Sequence, residues 1–533
     1  MQRYYHIVIF MFSVLSLQAQ SSVQMEEHDL SPIINPWLQV TNAAGLGLST
    51  VNVHGVTELG YFSESGDYHR SQQGDNRSGL NFYSERYDKI GKNWKSWGSF
   101  NFVMDREQNR AWSDVFSTYN SNPYIFGSSV PGNYDRQLFD FRVKLSSVEK
   151  GRFTYGVGID YLVGDLSRLR DPRTRVFLAD YSFLPAITYR LSSKQHIGFN
   201  LKASYRKEKM PSITTVQDDP NLKYYTFFGI ENADAVIGGF KGFQRQFVSD
   251  IYGGELQYAL KMSQLELLIA GGVNYEQQEI LESLRQSPGS YEAINYNVRL
   301  AGKAVSNGIL YNFKLNGNLK SGAADEFVQK LISTNNQSTG VNSQNWVTLF
   351  TYNNRYVNSV YDASLNFDIR DINTSRNDYS WLVGFETGVS GFTNQYNLPY
   401  SEFSANRLNA SLYGHYRLIN KNSNRLTLNA NIGYSTGFHN ALQLSNGAIA
   451  VPELGASTFK QGVYDVATNI LLPDLQFYKQ NVLDFRADAR YSFPLKVKKS
   501  VLTGQVKAYF GMQRSENLGS WTSAGVSVGI ITL

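Results

Sequence analysis

The densest chemistry in this chain is the run Asp484-Phe485-Arg486-Ala487-Asp488-Ala489-Arg490, with a charge at every second position. A spacing of two puts all of these charges on one face of an extended strand. Such a face either selects solutes along a water-filled passage or, since the signs cancel, neutralises itself as a ladder of ion pairs. The same spacing recurs in Asp140, Arg142 and Lys144, in Asp160, in Lys202 and Arg206, and in Arg299. It returns in Lys314 and Lys320, in Arg407 and Arg417, and in the acids Glu255, Glu266 and Glu386. Bases slightly outnumber acids on these faces, which points to anionic or neutral polar solutes.

Catalysis finds no comparable footing. A hydrolase gathers a nucleophile, a His and an orienting group at one place. Here His28, His54, His69, His196, His415 and His439 are scattered, and no His-Glu-x-x-His or Gly-rich phosphate loop accompanies them. With no Cys in the chain, disulfides and thiolate metal sites are excluded. The expectation is a protein that is not an enzyme and has no catalytic, cofactor-binding or metal-binding residues.

The elements that carry the charged faces are legible in residues 137–163. Phe139, Phe141, Val143 and Leu145 alternate with Asp140, Arg142 and Lys144; after a polar turn, Phe153, Tyr155, Val157, Ile159 and Tyr161 alternate with Thr154, Gly156, Gly158 and Asp160. This is an antiparallel hairpin with one apolar and one polar face. Its arms reach about ten residues against a usual strand of roughly five or six, a length that suits a tilted crossing of a bilayer. If the apolar face meets lipid, the charged face lines a lumen.

The pattern repeats from residue 50 to the end. Short turns join strands at 78–89 and 94–105, 177–191 and 195–206, 247–260 and 265–276, and 291–302 and 309–320, the last through the hairpin signal Asn307-Gly308. Further pairs are 357–369 and 381–389, 407–418 and 425–434, and 483–493 and 501–511, before a last strand at 521–533. Long polar connections separate them at 107–133, 165–176, 207–246, 321–345 and 435–478. The count predicts an all-β, transmembrane, antiparallel up-and-down β-barrel of about 18 strands, within a range of roughly 16 to 20. It closes because hydrocarbon cannot hydrogen-bond an open sheet edge. Long loops are expected outside the cell, with short turns and both termini in the periplasm.

Composition agrees. Aromatic residues make up 14% of the chain, with 35 Tyr and 32 Phe, and Pro is scarce at 13. Trp94, Trp97, Tyr189, Trp381, Tyr416 and Tyr491 fall near the short turns, and Phe100, Tyr161, Tyr205, Tyr275 and Tyr434 toward the long loops, as two interfacial girdles require. A formal charge of +5, from 50 basic and 45 acidic residues, gives no basic tract for nucleic acid. Loop aromatics such as Trp112, Tyr119, Tyr124, Tyr224 and Tyr225 either bind a surface ligand or pack the loops over the mouth.

Residues 1–20 read as a secretory signal peptide: Arg3, an apolar run at 7–17 too short to span as a helix, and Ala19 near the cut. Residues 21–49 show no alternation and form either a periplasmic lead-in or a plug, and 50–533 form the barrel. The chain ends Val526-Ser527-Val528-Gly529-Ile530-Ile531-Thr532-Leu533, with Leu533 apolar but out of phase.

On Asn35-Pro36-Trp37, Asn42-Ala43-Ala44-Gly45, Gly164-Asp165-Leu166-Ser167 and Asp171-Pro172-Arg173, the chain resembles outer-membrane β-barrel proteins of unknown function encoded by Bacteroidota. The resemblance covers the mature chain and implies fold and outer-membrane location, not substrate. The N-terminal stretch is also weakly similar to the Asn-Pro-Ala hatch of fatty-acid transporter barrels, but Trp37 follows Asn35-Pro36 and breaks that motif. Two functions remain open: a passive channel or uptake component for small polar solutes, and a non-conducting receptor or scaffold barrel that docks another envelope protein or a surface ligand. No cofactor is expected. The expected partners are outer-membrane lipid, the barrel-assembly machinery, and small polar solutes or that envelope protein.

Overall fold

The protein is described from a computed structural model covering residues 25–51, 53–119, 122–217, 222–237, 240–336, 341–372, 379–421, 424–445, 452, 456–497 and 500–532. In chain order, β1 (His54–Gly66), β2 (Asn76–Ile90) and β3 (Trp94–Arg110) begin a wall. After β4 (Phe126–Gly127), which lies apart from it, the wall continues through β5 (Gly132–Ser147), β6 (Phe153–Arg168), β7 (Arg175–Ser192) and β8 (Gln195–Met210). Two more separate strands, β9 (Lys223–Gly229) and β10 (Asn232–Ile237), precede β11 (Arg245–Lys261), β12 (Leu265–Glu282), β13 (Gly289–Ser306), β14 (Ile309–Asn336) and β15 (Val341–Asp371). The wall is completed by β16 (Trp381–Tyr396), β17 (Ser401–Lys421), β18 (Asn424–Gln443), β19 (Val482–Val497), β20 (Ser500–Ser515) and β21 (Ser520–Thr532).

The wall is a single 18-stranded antiparallel sheet, and it closes. β1 pairs with β2 on one side and with β21 on the other, Gly55 facing Thr532 and Gly66 facing Trp521. Every edge is thereby satisfied, as a membrane-spanning sheet requires. The expected transmembrane barrel and its strand count stand.

Burial is inverted relative to a soluble protein. Phe183, Leu412 and Ile432 project outward at 52%, 68% and 62% exposure, whereas Ser249, Gln257, Asn312 and Asp368 inside are almost fully covered. In the β5–β6 hairpin Phe141 faces Tyr161 outward, and Arg142 faces Asp160 on the lumenal side. At the turn between β13 and β14 both Asn307 and Gly308 take positive φ, 50° and 77°, the hand that the twist of a two-residue hairpin needs.

Several expectations need correction. Residues 321–345 are not a loop over most of their length: β14 and β15 continue as a paired ribbon, running 28 and 31 residues, because beyond the wall they still satisfy each other's backbone, with apolar residues such as Val328, Ile332 and Phe350 out of regular alternation. The 435–478 connection is strand as far as Gln443 and then helical, with α-helices at Thr458–Val466 and Leu472–Lys479 around a π-helical turn at Ala467–Leu471. The 107–133 and 207–246 connections contribute β4, β9 and β10 to a small separate sheet. Trp97 does not join a lipid girdle: its indole donates to Glu85 at 2.6 Å, and it lies beside Tyr87 and Lys144 on the inner face. Val526, Val528 and Ile530 face outward while Ile531 is buried inside; Leu533 lies outside the described residues.

Candidate functional site: a lumen covered at both ends

At the short-turn end the lumen is occupied by residues 25–50. They form α1 (Met25–Ile34), a 3-10 turn at Pro36–Gln39 and a single turn at Gly45–Leu48. Asn35 holds the stretch folded, its side-chain oxygen accepting from the Thr50 amide at 2.7 Å and its amide donating to Ser31. Asn42 accepts from the Ala44 amide at 2.9 Å. Trp37 and Val40 pack on Leu268 and Ala270, and Leu30 and Ile33 on Leu310 and Leu382, inward residues of the wall, and on Tyr379 of the turn between β15 and β16.

Wall lysines bind the backbone carbonyls of this segment. Lys144 donates to Val40 at 2.9 Å, Lys95 to Gly47 at 3.2 Å and to Ser49, and Lys303 to Ile34. Ile34 is the last residue of α1, where an orphan carbonyl and the negative end of the helix dipole favour a cation. Asn42 and Thr41 add bonds to Gln257 at 2.8 Å and Glu255 at 3.1 Å.

At the long-loop end the connections fold inward as a lid. Tyr124, Phe126, Tyr224, Val466 and Ile470 form one apolar cluster with the inward wall residues Phe247, Ile280, Tyr291, Tyr356, Phe392 and Phe403. The loop aromatics foreseen in the sequence are therefore packed over the mouth. Buried Asp114 accepts from Tyr224 at 2.8 Å and from Tyr134, and Arg110 ties the loop down through the carbonyls of Ser113 and Val115 at 2.9 and 2.6 Å.

A clasp joins three loops of the lid. Arg70 donates twice to one oxygen of Asp474, at 3.0 and 2.8 Å, while Ser71 binds the other through its amide and hydroxyl at 2.9 and 2.8 Å. The guanidinium lies 3.2 Å from the Tyr119 ring centroid and 5.0 Å from that of Tyr478. Burial pushes the Tyr119 phenol well above its usual range, although Arg70 pulls the other way. The hydroxyl therefore stays neutral and accepts from the Gln72 amide at 3.2 Å.

The structure distributes the foreseen charges among these parts. Asp140 pairs with Arg142 at 2.7 Å, with Asp160 directly across. Lys144 serves the N-terminal segment, and Arg417 donates to the Tyr379 carbonyl at the same end. Arg206 reaches Ser117 of the lid at 3.0 Å, and Arg407 reaches the Gln480 carbonyl at 3.4 Å. Lys202 and Arg299 border a cavity between the two covers. On β19 Asp488 accepts from Asn429 at 2.6 Å and Arg486 stands 5.2 Å from the Tyr509 ring, with Asp484 and Arg490 on the same face.

Charge reasoning passed over the asparagines. Asn81, Asn101, Asn200, Asn297, Asn318 and Asn366 occupy inward positions, most bonded to a wall neighbour. Their alternation with outward residues was the available signal. His54, His196 and His415 stand on β1, β8 and β17, and among the described residues no group of three or more His, Asp or Glu could hold a metal ion.

Among solved structures the chain is similar to the FrpB iron transporter from Neisseria meningitidis (F5-1 variant, apoprotein form), at 10% identity over 92% of this chain and 83% of that one, TM-score 0.39. It is similar to the CymD monoaromatic hydrocarbon channel at 10% identity over 94% and 92%, TM-score 0.27. For the unliganded ferric citrate transporter FecA the values are 9% over 89% and 78%, TM-score 0.34. No curated protein matches the sequence. The match that covers the barrel wall is to a family: over residues 43–532 this chain belongs to DUF6850, a family of unknown function.

Proposed function

We propose that the protein is an outer-membrane uptake barrel that passes small polar solutes, with residues 25–50 and the loop lid as the two barriers to free diffusion. The observation that carries this reading is the polar inner face that runs between the two covers and borders cavities of about 280 and 230 Å³. A barrel of this strand number encloses an aqueous passage when nothing fills it. Long loops face outward, short turns and both termini face the periplasm, and residues 1–20 are removed on export.

Because both mouths are covered, a second reading is a non-conducting receptor or scaffold that presents its loops to another envelope protein. Planar-bilayer recording of the full-length mature protein separates the two. Transient conductance steps that vanish on boiling support a passage. Silence from protein shown to be folded by its heat-shifted gel migration sinks the passage and leaves the receptor.

A further inference from the structure

Between the two covers, β8, β11, β12, β13 and β14 present a patch of wall made mainly of carboxamides. Asn200, Asn274, Asn295, Asn297, Asn316 and Asn318 line the cavity of about 280 Å³, and Thr41 of the N-terminal segment closes one side. Asn274 lies directly across from Asn295, and Asn297 from Asn318. The facing strands make room for them with glycines. A Cβ at Gly253 would stand 2.2 Å from the Asn274 side-chain oxygen, and one at Gly272 would stand 2.7 Å from that of Asn297.

Three of these six amides are held by one partner each and keep the rest of their capacity. Asn297 donates to Glu255 at 3.1 Å, Asn318 donates to Asp362 at 3.0 Å, and Asn316 accepts from Arg299 at 3.0 Å. Asn274 and Asn295 make no side-chain hydrogen bond with the described residues. A carboxamide offers two donors and two acceptor sites, and a hydroxyl offers one donor and two. The patch can therefore both give to and take from a ligand rich in hydroxyls.

Charged groups are the minority of the lining. Glu255 is already bonded by Thr41, Gln257 and Asn297, at 3.1, 2.7 and 3.1 Å. Lys202 and Arg299 share the cavity with its carboxylate, one basic charge in excess beside six carboxamides, so uncharged groups make up most of the polar lining. Among the described residues no aromatic ring lines the cavity, so a flat apolar ligand has nothing there to stack on.

We infer that this patch is a binding site for a neutral polyhydroxylated solute of the mono- or disaccharide class. The inference rests on the proposed passage, since the site lies inside the lumen. Its test uses full-length mature protein, with equilibrium dialysis against radiolabelled maltose in detergent and swelling of proteoliposomes in maltose, glycine and sodium gluconate. The expected result is saturable maltose binding, weakened at least tenfold by Asn274→Leu or Asn295→Leu, with gluconate at least tenfold weaker than maltose. Asn274→Ala and Asn295→Ala serve where the larger side chain prevents folding, as judged by heat-shifted migration. Absence of saturable maltose binding by folded wild-type protein, or binding that the variants leave unchanged, overturns the site. Swelling without saturable binding overturns the site and spares the passage; binding without swelling supports the site and overturns the passage.

Discussion

Replacing Asp474 by Asn should loosen the lid without disturbing the wall. The side chains of Arg70 and Asp474 are 12% and 3% exposed, and the carboxylate takes bonds from Arg70 and Ser71. Removing one partner of a buried ion pair costs about 3 to 5 kcal/mol, because the other charge is left uncompensated. The Tyr119 and Tyr478 rings, at 3.2 and 5.0 Å, offset part of that loss, by about 0.5 to 2 kcal/mol for a cation over aromatic faces. The net cost is roughly 1 to 4.5 kcal/mol, on the order of a 5- to 1,600-fold rise in the population of the undocked lid at 1.4 kcal/mol per tenfold. Hydrogen exchange reads this directly. Amides of the helix at Leu472–Lys479 should lose protection by that factor, those of β17 and β18 should keep theirs, and bilayer openings should lengthen. If protection of the helix stays at the wild-type level, the clasp does not hold the lid; if β17 and β18 lose protection equally, the effect is on the whole barrel and the reasoning fails.

Other predictions address the wall, the N-terminal segment and a loop. Ile159→Arg places a charge on the outward face of β6 and should destabilise the folded barrel by roughly 2 to 4 kcal/mol in urea unfolding from lipid vesicles, whereas Ser182→Arg, on the lumenal face of β7 across from Asp160, should cost much less. Trp37→Ala removes the main apolar contact of residues 25–50, a loss of about 3 to 5 kcal/mol for a buried Trp, and should raise the open fraction in bilayer recordings while leaving heat-shifted migration intact. Asp171 accepts from the Gln217 and Val216 amides at 2.7 and 2.8 Å, and these bonds, the Gln217 amide first, hold its carboxyl below the usual carboxylate range. A depressed folded value stabilises the loop contact above the unfolded pKa, near 3.9, and the contact is lost as pH falls through the lower folded value. Exchange at Val216 and Gln217 should thus be unchanged between pH 7 and 5 and accelerate, relative to the intrinsic rate, only below about pH 4; acceleration already at pH 5 would contradict the assignment.

The wall was legible in the sequence because two constraints act on every residue of it. An outward position meets hydrocarbon and an inward one meets polar surroundings, so the alternation of Phe139, Phe141 and Val143 with Asp140, Arg142 and Lys144 is enforced at each step. Where one constraint lapses, the signal goes. Beyond the wall, β14 and β15 pair with each other while their apolar residues, such as Val328, Ile332, Leu349 and Phe350, break the regular alternation, so the ribbon reads as loop. The lid has no period because its side chains pack against neighbours from distant loops: Asp114 meets Tyr224, and Arg70 meets Asp474. Residues 25–50 looked irregular for a related reason, since Lys144, Lys303 and Gln257 of the wall supply bonds that a free helix would find in itself. Attention to formal charge also hid the amide wall, since Asn is ordinarily a turn residue and carries no sign.

The seam between β1 and β21 fixes the order in which such a molecule can form. The first and last strands of the wall are each other's only means of removing an open edge, so no shorter prefix of the chain has a finished ring. Joining them means closing the longest loop in the protein, a step whose entropic cost comes before any reward and which slows folding relative to the local hairpins. Loss of β21 alone would leave β20 and β1 with unpaired backbone in hydrocarbon, at several kcal/mol per unsatisfied group. Tolerance to truncation is therefore steeply uneven: a shortened ribbon between β14 and β15 changes a surface, while a few residues missing from β21 forfeit the membrane protein as a whole.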